Sequence, residues 1–226
     1  MRPLPHAPWY NSALRSHEEL ESAYKQVQEL GLSPHPDYSK NWDHLAALDF
    51  ILKHTGADSV VLDAGADHSS RILPWLEAYG YRHLIGINVA FPSSFVRGSI
   101  HYMPGDIEQA PFDDQSFDVI TCMSVIEHGV NETAYVHEMS RILRPGGYLI
   151  TSTDYYPVPI PTHGKVAFGV PIRIFTKSDI TRLLDSAGAS GLRSDGDIEF
   201  DCTQTPIQWK GLRYSFIMFV LRKAAC

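Results

Sequence analysis

A carboxylate and an imidazole stand side by side at Glu127 and His128, just beyond the apolar run F-D-V-I-T-C-M from Phe117 to Met123. An imidazole titrates near neutrality, with a reference pKa of about 6.5, so His128 is a candidate general base. A second constellation is the turn D-A-G at Asp63 to Gly65, which closes the run V-V-L. Gly65 permits positive φ and lets a ligand approach the backbone. The helical pattern that follows, Arg71 to Tyr79, would aim free N–H groups at such a ligand. A dinucleotide loop wants G-x-G-x-x-G, and here Asp67 and Ser69 occupy the later positions. The turn by itself therefore suits an ordinary strand-to-helix connection equally well. A third group, Asp154, Tyr155, Tyr156 and His163, opens a long stretch from Tyr155 to Ile174 that holds Pro157, Pro159, Pro161 and Pro171. Connections of that length inside a compact domain are functional or disordered, so these polar side chains are candidate substrate contacts, with ordinary loop polarity as the alternative.

The elements that must position these residues follow from periodicity. Short β-branched runs predict buried parallel strands at Val60–Leu62, His83–Val89, Ile100–Met103, Phe117–Met123 and Tyr148–Thr153. Apolar spacing of three and four predicts helices after Ser16, from about Asn41 to Thr55, from Glu132 to Leu143 and from Lys177 to Ala187. Ser16 and Glu19 have the spacing of a capping box. R-P-G-G at Arg144 to Gly147 reads as a turn. Two strands without a helix between them, Gly196–Asp201 and Tyr214–Arg222, predict an antiparallel closing hairpin. Strands alternating with helices indicate an α/β architecture. One domain over 1–226 is expected, with helices in 1–56 ahead of a core in 57–226 and a lid at 155–174.

Charge and composition narrow the function. With 19 Lys and Arg against 26 Asp and Glu the net charge is −7, and no basic run is present, which argues against tracking a nucleic-acid backbone. A hydrophobic fraction of 44% argues against disorder. Cys122, Cys202 and Cys226 are far apart, and Cys122 falls in a buried strand, so reduced core thiols are expected. The amino-terminal residues hold no apolar signal core and no run approaches a membrane span, so a soluble cytoplasmic protein is expected. The histidines show no ligand-like spacing, and no metal site is expected.

In order and spacing, the pieces V-V-L-D-A-G, I-G-I-N, G-D-I-E-Q-A-P-F-D-D-Q-S-F-D-V-I, S-V-I-E-H and R-I-L-R-P-G-G-Y-L-I resemble the class I S-adenosylmethionine-dependent methyltransferases. The resemblance covers roughly Asp43 to Lys223. Within the family, D-A-G-x-x-H-S is similar to small bacterial, methyltransferase-11-like enzymes, some of them linked to surface glycans. It implies a Rossmann-like seven-stranded mixed sheet of order 3-2-1-4-5-7-6, with the seventh strand antiparallel and helices on both faces. It also implies S-adenosylmethionine as cofactor. Gly65 would lie under the methionine part and Asp63 near its amino group. Asn88 would face the ribose hydroxyls, Asp106 would accept from the adenine amino group, and Ile107 would contact the ring. Met123 would line the methyl-bearing sulfur. The activity expected is methylation of a small-molecule or glycan acceptor, through oxygen with nitrogen as the alternative, and the charge and hydropathy above predict no nucleic-acid or membrane partner. Two residues depart from the pattern: Asp67 replaces a turn glycine, and Asn88 replaces the ribose carboxylate. They motivate the alternative of a non-catalytic fold that binds an adenosyl ligand or a partner protein. Related ubiquinone-pathway enzymes use the E-H block for a metal, but their additional acid is Ser124 here.

Overall fold

The computed structural model describes residues 2–225. Five helices, α1 (His17–Glu29), α2 (Lys40–His54), α3 (Ile72–Ala78), α4 (Glu132–Ile142) and α5 (Lys177–Ala189), surround a central sheet. Its parallel strands are β2 (Val60–Ala64), β3 (His83–Asn88), β5 (Ile100–Pro104), β6 (Phe117–Met123) and β7 (Leu143–Tyr155). They lie side by side in the order β5-β3-β2-β6-β7, and β12 (Leu212–Lys223) continues the sheet antiparallel to β7. The short β1 (Ser12–Ala13), β10 (Leu192–Ser194) and β11 (Ile207–Trp209) share the outer edge of β12, and β4 (Phe95–Arg97) closes the opposite edge against β5. The sheet thus has ten strands, three of two or three residues more than the resemblance implies.

Period-two alternation divides the core. Val61, Val119, Ile150 and Met218 face one side with α2 and α3, while Leu62, Ile120, Leu149 and Phe219 face the other with α4 and α5. Helix ends carry their own stops: Asn131 caps α4, and Thr176 with Asp179 forms a reciprocal box on α5. At α1 only half of the expected box forms. Ser16 accepts from the Glu19 amide, while the Glu19 carboxylate reaches Arg15 N–H instead.

Two other expectations change. R-P-G-G is part of β7, with Gly146 at φ +80° absorbing the bend. The strand expected at Gly196–Asp201 is displaced to Leu192–Ser194, because D-G-D, with Gly196 at φ +109°, turns the chain there and leaves only Glu199 bridged to Ser12. The segment 155–174 is not featureless: it carries a small hairpin of β8 (Val166–Ala167) and β9 (Val170–Pro171). Cys122 and Cys202 are buried free thiols, and Cys226 lies outside the described residues. Among the described residues no helix is long and apolar enough to cross a membrane.

Candidate functional site

The parallel strands all end at one edge of the sheet. There Ala64 pairs with Ile87, Asn88 with Pro104 and Met123 with Ser152, which brings Gly65, Asn88, Asp106 and Met123 to the same rim. Ligands of open α/β sheets bind beyond such carboxyl ends. Gly65 turns the chain at φ +95° and donates its N–H to Ile87 O at 2.9 Å. A Cβ on it would meet Val125 Cγ2 at 2.4 Å, so both the turn and the close packing require glycine.

The departures from the family pattern have structural work. The Asn88 amide donates to Ala66 O at 2.9 Å and Gly65 O at 3.2 Å, and its Oδ1 accepts from Ala90 N–H at 2.8 Å. Asp67 Oδ1 accepts from Ser69 N–H at 2.6 Å, Ser70 N–H at 2.8 Å and Ser69 Oγ at 2.7 Å. The amides expected to face a ligand ahead of α3 are therefore satisfied by Asp67, an Asx-type closure. Asp63 is buried beneath the turn, accepting from Ser70 Oγ at 2.6 Å and Thr121 Oγ1 at 2.9 Å, and burial pushes its carboxyl above the usual range. Asp106 is exposed, with one oxygen on Glu108 N–H at 2.9 Å, while Ile107 and Met123 are buried beside it on the rim.

A second group gathers over β6 and β7. Glu127 is buried and accepts from Thr153 Oγ1 at 3.0 Å. Burial, then the negative Asp154, pushes its carboxyl up to about 8. Asp154 is likewise raised by burial, against the opposing pull of Lys40. His128 goes the other way: burial and then Lys40 lower it to about 4, so it is a neutral imidazole at physiological pH. Its Nδ1 is buried with no hydrogen-bond partner among the described residues, and its ring meets Phe168 edge-on at 5.0 Å. From α2, Asp43 bonds Ser152 Oγ at 2.7 Å and Ser124 Oγ at 3.4 Å, and holds His44 Nδ1 at 2.9 Å. Among the described residues no group of three or more His, Cys, Asp or Glu side chains is placed to hold a metal.

One expected substrate contact sits elsewhere. Tyr155 points to the opposite face of β7 from Asp154, is wholly buried, and donates its hydroxyl to Phe200 O at 2.9 Å; strand alternation makes it a core residue. His163 is exposed in the loop ahead of β8, at φ +51°. Tyr156 is half-buried and Asp154 nearly sealed. Sequence reasoning missed Lys40, Asp43 and His44. The available signal was polar residues inside an apolar helical stretch, N-W-D-H-L-A-A-L, which a one-sided reading of α2 passes over.

Residues 62–151 match the sequence profile of a family described as methyltransferase domain. A tRNA U34 carboxymethyltransferase of Nautilia profundicola is 26% identical over 120 residues, half of this chain and 40% of that protein. The ubiquinone/menaquinone biosynthesis C-methyltransferase UbiE of Idiomarina loihiensis is 36% identical over 61 residues, 27% of this chain and 24% of that protein. The chain thus spans well under half the length of these curated relatives. In fold it is similar to an S-adenosylmethionine-dependent methyltransferase from Mesorhizobium loti (TM-score 0.59, 17% identity, covering 81% of this chain and 98% of that one). It is also similar to a 1,6-didemethyltoxoflavin-N1-methyltransferase from Burkholderia thailandensis, solved with bound 1,6-didemethyltoxoflavin and S-adenosylhomocysteine (TM-score 0.57, 18% identity, covering 92% of this chain and 87% of that one).

Proposed function

From the match of residues 62–151 to a methyltransferase-domain family, we propose that the chain is a class I S-adenosylmethionine-dependent methyltransferase that transfers the methyl group to a small-molecule or glycan acceptor, at oxygen. The observation that carries this reading is the convergence of Gly65, Asn88, Asp106 and Met123 on one rim of the sheet. The donor set fits the cofactor. Asp106 keeps an exposed carboxylate oxygen for an amino group, and Asn88 Oδ1 keeps a lone pair for a ribose hydroxyl. The glycine corner is a cradle with no room for a side chain, and Val125 closes over it. When bound, the cofactor supplies a methyl group already activated by a positive sulfur. This chain's residues then have to orient the acceptor, exclude water and take its proton.

The carboxylate pair Glu127 and Asp154 is better matched to proton uptake than His128. A base works best when its pKa lies near the operating pH, and Glu127 is raised towards that range while His128 is lowered away from it. His128 would line the acceptor under Phe168, with Asp154 and Tyr156 beside it. Incubating the protein with methyl-labelled S-adenosylmethionine and fractionated small molecules and glycans tests the reading. Label should enter an acceptor fraction with a methyl carbon shift typical of O–CH3, and Asp106→Lys should abolish it. Label in an N–CH3 or C–CH3 product would move the acceptor atom.

A second reading, a non-catalytic adenosyl-ligand or protein-binding fold, draws on the Asn88 amide and Asp67 carboxylate being spent inside the turn. Tight ligand binding without label transfer to any fraction would favour it.

A further inference from the structure

Helix α2 buries eleven consecutive residues, Asn41 to Ile51, and the four polar side chains among them have different explanations. Asn41 ties down the preceding loop, accepting from His35 N–H and donating to the carbonyls of His35, Asp37 and Tyr38. Asp49 receives Ala7 N–H and the Lys53 ammonium. Asp43 and His44 hold no such local structure. Asp43 places Oδ2 on Ser152 and Ser124, the residues paired with and following Met123, and Oδ1 on His44. His44 thereby stands over the strand ends, with its ring 5.1 Å from that of His35 and 6.1 Å from Trp75. It bears electrostatically on Asp63, and His35 Nε2 lies 3.5 Å from Ser69 Oγ of the glycine turn. The second nitrogen of His44 has no hydrogen-bond partner among the described residues and is not sealed from solvent.

Resting on the methyltransferase reading, we infer that His44, oriented by Asp43, receives the α-carboxylate at the aminoacyl end of the cofactor. An anion arriving at a strand-turn-helix corner ordinarily meets free backbone N–H groups. Here those of Ser69 and Ser70 are consumed by Asp67. Arg71, the other cation of this corner, spends Nε and Nη1 on the carbonyls of Pro34 and Ser70. Of the groups left over, Arg71 Nη2 and the second ring nitrogen of His44, the latter belongs to a ring fixed in place by a buried carboxylate. Burial alone would raise the Asp43 carboxyl, but its contact with His44 holds it below the usual range, so a carboxylate faces Nδ1 of the ring. A ligand carboxylate arriving at Nε2 would set the ring between two anions, the setting in which charge-assisted hydrogen bonds form on both nitrogens.

Calorimetric titration with S-adenosylmethionine and with its decarboxylated analogue, which lacks only the carboxylate, tests the inference. The unaltered protein should prefer the carboxylate-bearing ligand by at least about tenfold, the effect of one charged hydrogen bond. His44→Ala should collapse that preference towards unity while leaving the affinity for the decarboxylated analogue nearly unchanged. His44→Gln keeps a polar side chain but cannot take up a proton, so it should also lose most of the preference if the alanine variant fails to fold. A preference retained in the folded variants overturns the inference, and so does a parallel weakening of both ligands, which a purely structural pair would cause. Equal binding of both ligands by the unaltered protein overturns it alone. Binding of neither overturns the methyltransferase reading as well.

Discussion

The carboxamide of Asn88 donates both N–H groups to carbonyl oxygens of the glycine turn, at Gly65 and Ala66. Read from the sequence, Asn88→Asp restores the usual ribose carboxylate and should tighten binding. The structure reverses that expectation, because a carboxylate oxygen would face two carbonyl oxygens. The variant should lose about 1–3 kcal/mol of stability and bind S-adenosylhomocysteine more weakly, read by thermal melting and calorimetry. Tighter binding with an unchanged melt would show that the turn does not depend on the amide. Asp67→Ala removes the acceptor of three hydrogen bonds ahead of α3 and should cost about 1 kcal/mol, a fall of roughly 2–4 °C in melting temperature for a chain of this size. Glu127 carries a pH signature. Its folded-state pKa is raised, so the fold is favoured at low pH and loses that contribution as the pH climbs through the raised value. Glu127→Gln should therefore melt higher than the unaltered protein, by a margin that widens from about pH 5 to about pH 8, while turnover falls about 10²-fold or more. If His128→Ala lowers turnover further than Glu127→Gln does, the proton goes to the imidazole instead.

Among the elements, the segment after β7 is held at its ends and loosely within. Phe175 N–H bonds Asp154 O, Tyr156 N–H bonds Phe175 O and Arg173 N–H bonds Glu127 O, whereas Phe168 at the hairpin tip is 87% exposed. We propose that this hairpin is a lid over the acceptor, ordered when the acceptor binds. Amides of 157–164 should exchange quickly in the free protein and slow in its acceptor complex, measured by hydrogen exchange; strong and equal protection in both states would remove the lid. The main strands were legible because β-branched runs such as V-V-L and F-D-V-I-T-C-M are bounded by glycine and proline. The outer strands β1, β10 and β11 were not: two or three residues carry no alternation, and their partner, β12, is remote in sequence. For α2 the stripe Leu45, Leu48, Ile51 and Leu52 suggested one buried face, but the strand ends, His35 and Trp75 bury Asp43 and His44 as well, which concealed them.

In the whole molecule, one sheet edge gathers residues from positions 40 to 154 because parallel strands joined by helices all finish at the same side. That convergence was readable from the sequence, since each residue follows its strand directly. The internal commitments of Asp67 and Asn88 were not readable, because they depend on which carbonyls and amides the folded turn presents. The net charge of −7 argues for an acceptor other than a nucleic-acid backbone, and salt-independent binding of the acceptor would agree with that. The central claim is that the rim formed by Gly65, Asn88, Asp106 and Met123 holds S-adenosylmethionine. Calorimetric titration of the unaltered protein and of Asp106→Lys with S-adenosylhomocysteine tests it most directly. Saturable one-to-one binding, lost in a variant that melts like the original, is the predicted result. No heat from the unaltered protein at millimolar ligand, or binding that Asp106→Lys leaves intact, would contradict it.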